Sequence, residues 1–233
     1  MGKDYVFLMG LSLIWKNQST LLLTPINSGF FILFLYKNKK MLLGYHLLST
    51  DARDRLYGDD FEFGPNPKDK CLKYRCIYDI NYLPNNFKIS RNAKSDFLIT
   101  YEGINLVTKN VIEFCKKNRY TNIEFIRLPN DDRYYWMKPH ADVEFDFKRR
   151  GTEFLWYSKK CKGYREIIGA DPVCLKKNKP LGDNFYRTDL SFGSIDGKHP
   201  LILMGTETFN KIKKSGLRGA YFEKILDKYE WEK

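Results

Sequence analysis

Two stretches of the chain set apolar and polar positions in the same order. In the first, 97–100 and 104–107 read as short strands around a Glu102-Gly103 turn. Val107, Val111, Phe114 and Cys115 then recur at helical spacing. Thr108 stands where its hydroxyl can accept from the free N–H groups of a first helical turn, and Lys116 and Lys117 suit the carbonyl end. The apolar run over 123–128 reads as a closing strand. In the second stretch, Asp196-Gly197 is the turn, 200–204 the strand and Thr206 the cap. Phe209 and Ile212 face inward, Lys211, Lys213 and Lys214 load the helix end, Gly216 stops it in the left-handed conformation, and 220–225 closes the unit. At a constant offset of 97 (203 − 106), Leu106, Lys116, Lys117 and Phe125 meet Leu203, Lys213, Lys214 and Phe222, four identities in 23 positions. The shared order of turn, strand, capped helix and strand says more than that thin identity. Chance likeness between two common amphipathic units is the alternative.

The rest of the pattern is mostly β. A strand is expected over 42–48, a polar Gly/Pro-rich stretch over 49–70, a strand over 71–80 and a loop over 83–95. Val143, Phe145 and Phe147 alternate with Asp142, Glu144 and Asp146, and the chain turns at Arg149-Arg150-Gly151 and returns through 154–157. That predicts a hairpin with one wet face. The apolar runs "YVFLMGLSLIW" and "FFILFLY" are each shorter than the ~20 residues a membrane helix needs. Asp4 sits where a signal peptide favours positive charge. A strand pair, a weak targeting segment and an upstream extension compete for 1–40; the extension reading is preferred. The fold expected over 41–233 is a single α+β domain, strand-rich, in which two similar strand–helix–strand units share a mixed or antiparallel sheet.

Charge and composition narrow the function less than the fold. Lys+Arg exceed Asp+Glu by 40 to 28, a net charge of +12, but the cations are scattered among acids and form no stripe. That distribution argues against a nucleic-acid partner, the first rival reading. Five cysteines, an odd number in a long chain, point to reduced thiols and a cytoplasmic setting. Cys71 and Cys76 have the spacing of one zinc knuckle, yet Ser158 stands three before Cys161, and Cys174 is distant. The thiols are therefore read as small hydrophobes, with no metal or cofactor expected. His46, His140 and His199 each stand alone, and the pairs Asp59-Asp60 and Asp131-Asp132 are adjacent rather than opposed across a cleft. No catalytic residue is assigned; an enzyme of unknown class is the second rival. The stretch "PNDDRYYWMKPH" interleaves aromatics with charge, so Asp131, Asp132, Arg133, Tyr134, Tyr135 and Trp136 are the candidate partner-binding residues. The competing reading buries its alternate aromatics in the core.

The order "WYSKKCKGYREIIGADPVCL", "NFYRTDLSFGS" and "PLILMGTETFNKIKKSGLRGAYFEKI", with "LITYEGINLVTKNVIEFCKKNRYTNIEFIRL" before it, resembles immunity proteins of bacterial polymorphic-toxin and contact-inhibition systems. The likeness covers roughly 95–226 and rests on apolar positions, a cap and glycines. It implies a non-enzymatic protein that binds and blocks one cognate toxin. Some relatives carry paired CxxC knuckles; Ser158 replaces the first Cys here, which puts an inherited metal site in doubt. Complementary charge speeds association, so a chain at +12 suits an acidic or neutral toxin, or uses a local acidic patch such as Asp59, Asp60 and Glu62.

Overall fold

Strand β1 (Leu42–Asp51) is the central strand, on which the two halves of an 11-stranded sheet meet. The computed structural model describes residues 40–53, 83, 87–89, 94–159, 162–194 and 197–232. The expectations placed on 1–39, on 54–82 with Asp59, Asp60, Glu62, Cys71 and Cys76, and on Cys161 and Asp196 lie outside those residues. The elements that follow β1 are β2 (Phe97–Ile99), β3 (Asn105–Thr108), α1 (Lys109–Lys117), β4 (Ile123–Leu128), β5 (Asp131–Pro139), β6 (Asp142–Val143), α2 (Phe147–Arg150), β7 (Glu153–Ser158), β8 (Gly163–Ile168), β9 (Phe185–Ser194), β10 (Gly197–Met204), α3 (Thr206–Ser215) and β11 (Ala220–Leu226). The sheet runs β4-β5-β3-β2-β1-β10-β9-β8-β7, with β11 also on β1 and β6 on β9. Two pairings, β1 with β2 and β6 with β9, are parallel and the others antiparallel, so the sheet is mixed. The strand-rich α+β class expected from the sequence is the class observed.

Apolar alternation places the core on both faces of this sheet. Phe97, Val107, Met137, Ile202 and Met204 join one cluster with Tyr45 and Leu47 of β1 and Phe185 of β9. Val111 and Cys115 of α1 and Ile212 of α3 pack into that same cluster, so both long helices cover one face. The opposite face divides in two. Leu98, Leu106, Tyr134 and Trp136 pack with Leu83, Phe87 and Ile89. Leu201, Leu203 and Ile225 pack with Phe145, Leu175 and Phe192. Each fully buried large apolar side chain stabilises by about 1.5–3 kcal/mol before entropy is counted.

Beside β1, β11 runs from Leu42 to Ser49 and β2 takes over at Thr50 and Asp51. Gly219 makes the handover. The Thr50 N–H donates to Gly219 O at 2.9 Å, and the Phe97 N–H donates to Arg218 O at 3.1 Å. Gly219 sits at φ +87, and a Cβ there would lie 2.7 Å from the carbonyl oxygen of Phe97. Beside it stands Asp96, 5 % exposed. Its Oδ1 accepts from the Thr108 hydroxyl at 2.7 Å and from Asn110 Nδ2 at 3.1 Å, and its Oδ2 accepts from the Arg218 N–H at 2.9 Å. Burial alone would raise the Asp96 pKa; the Arg218 N–H, the Thr108 hydroxyl and the Asn110 amide outweigh it and hold the carboxyl below its ordinary value.

That carboxylate explains one departure from the sequence reading. Thr108 does occupy the N-cap of α1, but its hydroxyl donates to Asp96 and makes no capping bond. In α3 the cap is Gly205, and Thr206 is the first helical residue. The hairpin expected over 142–157 does not form either. Asp142–Val143 pairs in parallel with β9, and Phe145 bridges to Leu175. Asp146 then caps α2 by accepting from the Arg149 N–H at 3.0 Å, with Gly151 left-handed at φ 71. The returning strand β7 pairs with β8 instead. Burying Phe145 beside Leu175 and capping a helical turn win over an exposed two-stranded ribbon. The spans of α1 and β4 and the Gly216 stop at φ 78 agree with the pattern.

Two outcomes test this junction. Asp96→Asn should lower unfolding free energy by about 1–3 kcal/mol in urea titration at pH 7, since three donors lose a charged acceptor. A carboxyl with a depressed folded pKa contributes stability above its unfolded value and loses it as pH falls through the folded one. The gap between wild type and Asp96→Asn should therefore narrow below pH about 4. Gly219→Ala should cost more than about 2 kcal/mol by the same measurement, because positive φ and a backbone clash act together; an unchanged midpoint would remove Gly219 from the junction.

Candidate functional site

The stretch singled out by its aromatics is the inner strand β5, held between β3 and β4. Its six candidates divide. Tyr134 and Trp136 are buried in the cluster around Phe87 and Ile89. Asp131 is buried as well: its carboxylate takes the Ile89 N–H at 3.1 Å and the Arg133 guanidinium at 2.9 and 2.7 Å. Arg133 also donates to Ile89 O at 2.8 Å, so the Asp131–Arg133 pair clamps 87–89 to the sheet. Asp132 and Arg133 are exposed, and Tyr135 is half-buried against the helix-covered core. Period-two alternation in a strand buried on both faces sends neighbours to opposite sides.

A cleft of about 220 Å³ opens between β3–β5 and β9–β10, with Asn105, Trp136, Lys138, Asp142, Arg187, Asp189, Ser191, Lys198 and His199 in its wall. One ion pair and several hydrogen bonds hold its polar groups, and Lys138 Nζ lies over the Trp136 ring at 4.5 Å. Arg187 Nε donates to Asp142 at 2.6 Å, Asp189 accepts from the Phe145 N–H at 2.8 Å, and Lys198 donates to Tyr164 O. His199 is the perturbed group. Burial, then the charge of His46, push its pKa down to about 4 against the pull of a hydrogen bond with the Glu102 backbone. Its Nδ1 has no hydrogen-bond partner, and Gly103, at φ +81, leaves the space: a Cβ there would lie 1.9 Å from that nitrogen. The imidazole is neutral at pH 7, so this cleft offers a polar, uncharged ring at its floor.

The outer hairpin β7–β8 presents a different surface. Strand β7 ends the sheet path and pairs with β8. Trp156 is 59 % exposed, Tyr157 54 % and Ile168 40 %. Trp156 lies at φ 56 inside the strand, and the Arg165 guanidinium stands 5.8 Å from its ring centre. A bulky residue at positive φ costs about 1–3 kcal/mol. Inward, Phe154 packs edge-on against Phe147 at 5.4 Å and tilted against Tyr164 at 5.2 Å, which anchors the hairpin.

A second cavity, about 320 Å³, is lined by His46, Asp171, Pro172, Val173, Glu223, Lys224 and Ile225. His46 is 4 % exposed, and its Nδ1 lies 3.4 Å from Asp171 Oδ1 and 3.4 Å from Glu223 Oε2, close enough for the imidazole to hold the Asp171 carboxyl below its ordinary value, yet at angles that make a hydrogen bond to neither. Register brings His46 opposite Glu223, while Asp171 arrives on the segment between β8 and β9. Sequence spacing gave no sign of this trio, because each member stands alone along the chain. The thiols of Cys115 and Cys174 are both buried, and burial pushes the first up to about 12 and the second to about 11.

The chain matches no protein-family model and no curated protein. Among the described residues no helix is long and apolar enough to cross a membrane.

His199 makes the cleft pH-sensitive in a defined sense. Its folded pKa, about 4, lies below the unfolded value of 6.5, so the unfolded chain binds the proton first. Its stability contribution is full above pH 6.5 and falls by about 3 kcal/mol as pH drops toward 4. Urea unfolding at pH 7.5, 5.5 and 4.5 should show that slope, and His199→Gln should flatten it within the window.

Proposed function

We propose that this chain is a non-enzymatic, cytoplasmic immunity protein that binds and neutralises a cognate bacterial toxin, using the outer hairpin β7–β8 as the centre of its contact surface. The observation that carries the reading is the exposed set Trp156, Tyr157 and Ile168, with Arg165 over the indole, on a hairpin anchored from within. Trp, Tyr and Arg are the residues that dominate protein interfaces when truncated one at a time. The sequence resemblance to toxin-system immunity proteins supplies the kind of partner. The surplus of cations, +12 over the whole chain, favours an acidic toxin surface.

The platform behind the hairpin is read as two related units. Support comes from strand order and register. The orders β2-β3-β5-β4 and β9-β10-β1-β11 place a helix-linked pair on either side of one antiparallel strand. The row Phe97–Val107–Tyr135–Arg127 has the same register as Phe185–Met204–Tyr45–Lys224. The next row, Leu98–Leu106–Trp136–Ile126, corresponds to Tyr186–Leu203–His46–Glu223. The offset of 97 that relates Phe125 to Phe222 also relates Val107 to Met204 and Arg127 to Lys224. Neither unit covers its apolar face alone; with both helices on one cluster they form a stiff support, and stiffness lowers the entropy cost of binding.

Binding of the toxin domain encoded beside this gene, measured by calorimetry, tests the reading. Trp156→Ala with Tyr157→Ala should weaken binding by about thirtyfold or more, roughly 2 kcal/mol, with unchanged thermal unfolding. The same pair should abolish protection of cells that express the toxin. Wild-type affinity in the double variant would move the surface elsewhere, and no binding by the wild-type chain would overturn the immunity reading.

A further inference from the structure

The trio at the second cavity supports an inference independent of the toxin reading. We propose that His46, Asp171 and Glu223 form a binding site for one divalent transition-metal ion, zinc foremost, with a fourth position open to solvent through the cavity.

Three features carry it. The first is distance. His46 Nδ1 stands 3.4 Å from each carboxylate oxygen, with no hydrogen bond made. Zinc–ligand bonds of 2.0–2.2 Å at tetrahedral angles separate ligand atoms by about 3.3–3.5 Å, so two edges of a coordination tetrahedron already have their length. The three ligand atoms lie within 4.8 Å of one another. The carboxylate-to-carboxylate edge closes by rotation of two side chains that are 55 % and 52 % exposed. The second is burial. His46 is 4 % exposed on the central strand β1, so a ring nitrogen without a hydrogen bond there is costly, and a metal ion at the cavity satisfies it. The third is donor chemistry. One imidazole and two carboxylates carry two negative charges when the ring is neutral, which balances a dication and suits zinc better than the all-oxygen shells of calcium and magnesium.

The site also has a structural consequence. His46 belongs to β1 and Glu223 to β11, while Asp171 sits on the connection from β8 to β9. A bound ion would fasten that connection to the centre of the sheet, and the Arg150 guanidinium already holds Asp171 from outside through its carbonyl, 2.6 Å from Nε. Binding to the folded chain alone raises its stability by mass action.

The test uses the full chain stripped with chelator and titrated with zinc chloride and, separately, cobalt chloride. One zinc per chain is expected, with a Kd below about 10 μM, a thermal midpoint that rises on loading, and a cobalt spectrum free of thiolate charge-transfer bands. Glu223→Gln, a surface change that leaves the core intact, should weaken zinc binding at least tenfold. His46→Asn should abolish it; should that variant fold poorly, Asp171→Asn gives the second reading, with the same tenfold loss expected. Zinc affinity unchanged in Glu223→Gln and Asp171→Asn overturns the site. So does a cobalt thiolate band that persists in them, which would put the metal on cysteines, or the lack of any saturable binding by the wild-type chain.

Discussion

A strand paired along both edges, with a buried carboxylate at its end, sets the terms for this fold. Tyr45 lies between Met204 and Lys224, so β10 and β11 flank β1, and β2 continues the β11 edge from Thr50. Where the edges change hands, Asp96 accepts from Thr108 and Asn110 at the start of α1 and from Arg218 at the entry to β11. An uncompensated carboxylate in that position would cost several kcal/mol, so the two halves of the sheet have to arrive together to satisfy it. The helices follow from the same constraint, because Val111 and Cys115 of α1 and Ile212 of α3 find one shared cluster rather than one each.

A sheet built outward from its middle has to end somewhere, and an exposed edge strand invites pairing with another chain. Here the outer hairpin carries the solvent-facing tryptophan and tyrosine, strain at Trp156 and an aromatic anchor of Phe147, Phe154 and Tyr164 beneath. The proposed toxin contact places binding at the part of the sheet least committed to holding the rest together. The cleft around His199 has another character: Arg187 pairs with Asp142, Asp189 takes a backbone N–H, and His199 is a neutral ring. The His46 trio sits nearer the centre, where occupancy would act on stiffness rather than on partner contact.

Much of this architecture was legible in the local pattern, and the failures share a cause. Helical spacing at Val111, Phe114 and Cys115 located α1, and Gly216 located the end of α3, because both signals are local to the helix they mark. Thr108 was misread because its competitor, Asp96, lies on the far side of a strand pair that spacing does not reveal. The alternation over 142–147 was real, but alternation does not name a partner; Phe145 found Leu175, and β7 found β8. The aromatics over 134–136 admitted both a surface reading and a core reading, because a run of large apolar residues reads alike in a hot spot and in an inner strand covered on both faces; Tyr134 and Trp136 are core. Trp156 and Tyr157 lay in a segment read only as the return of a hairpin, and their exposure depends on β7 being outermost, a property of the whole sheet. His46, Asp171 and Glu223 meet through register and one long connection.

The central claim is that both halves of the sheet stand or fall with the β1 junction as one cooperative body. Native-state hydrogen exchange across a denaturant series measures that directly. The account predicts that core amides of β3 and β5 on one side and of β9 and β10 on the other merge into a single global opening with the same free energy as β1. Exchange of β3 and β5 through a separate, lower-energy opening, while β1, β9 and β10 stay protected, would contradict it.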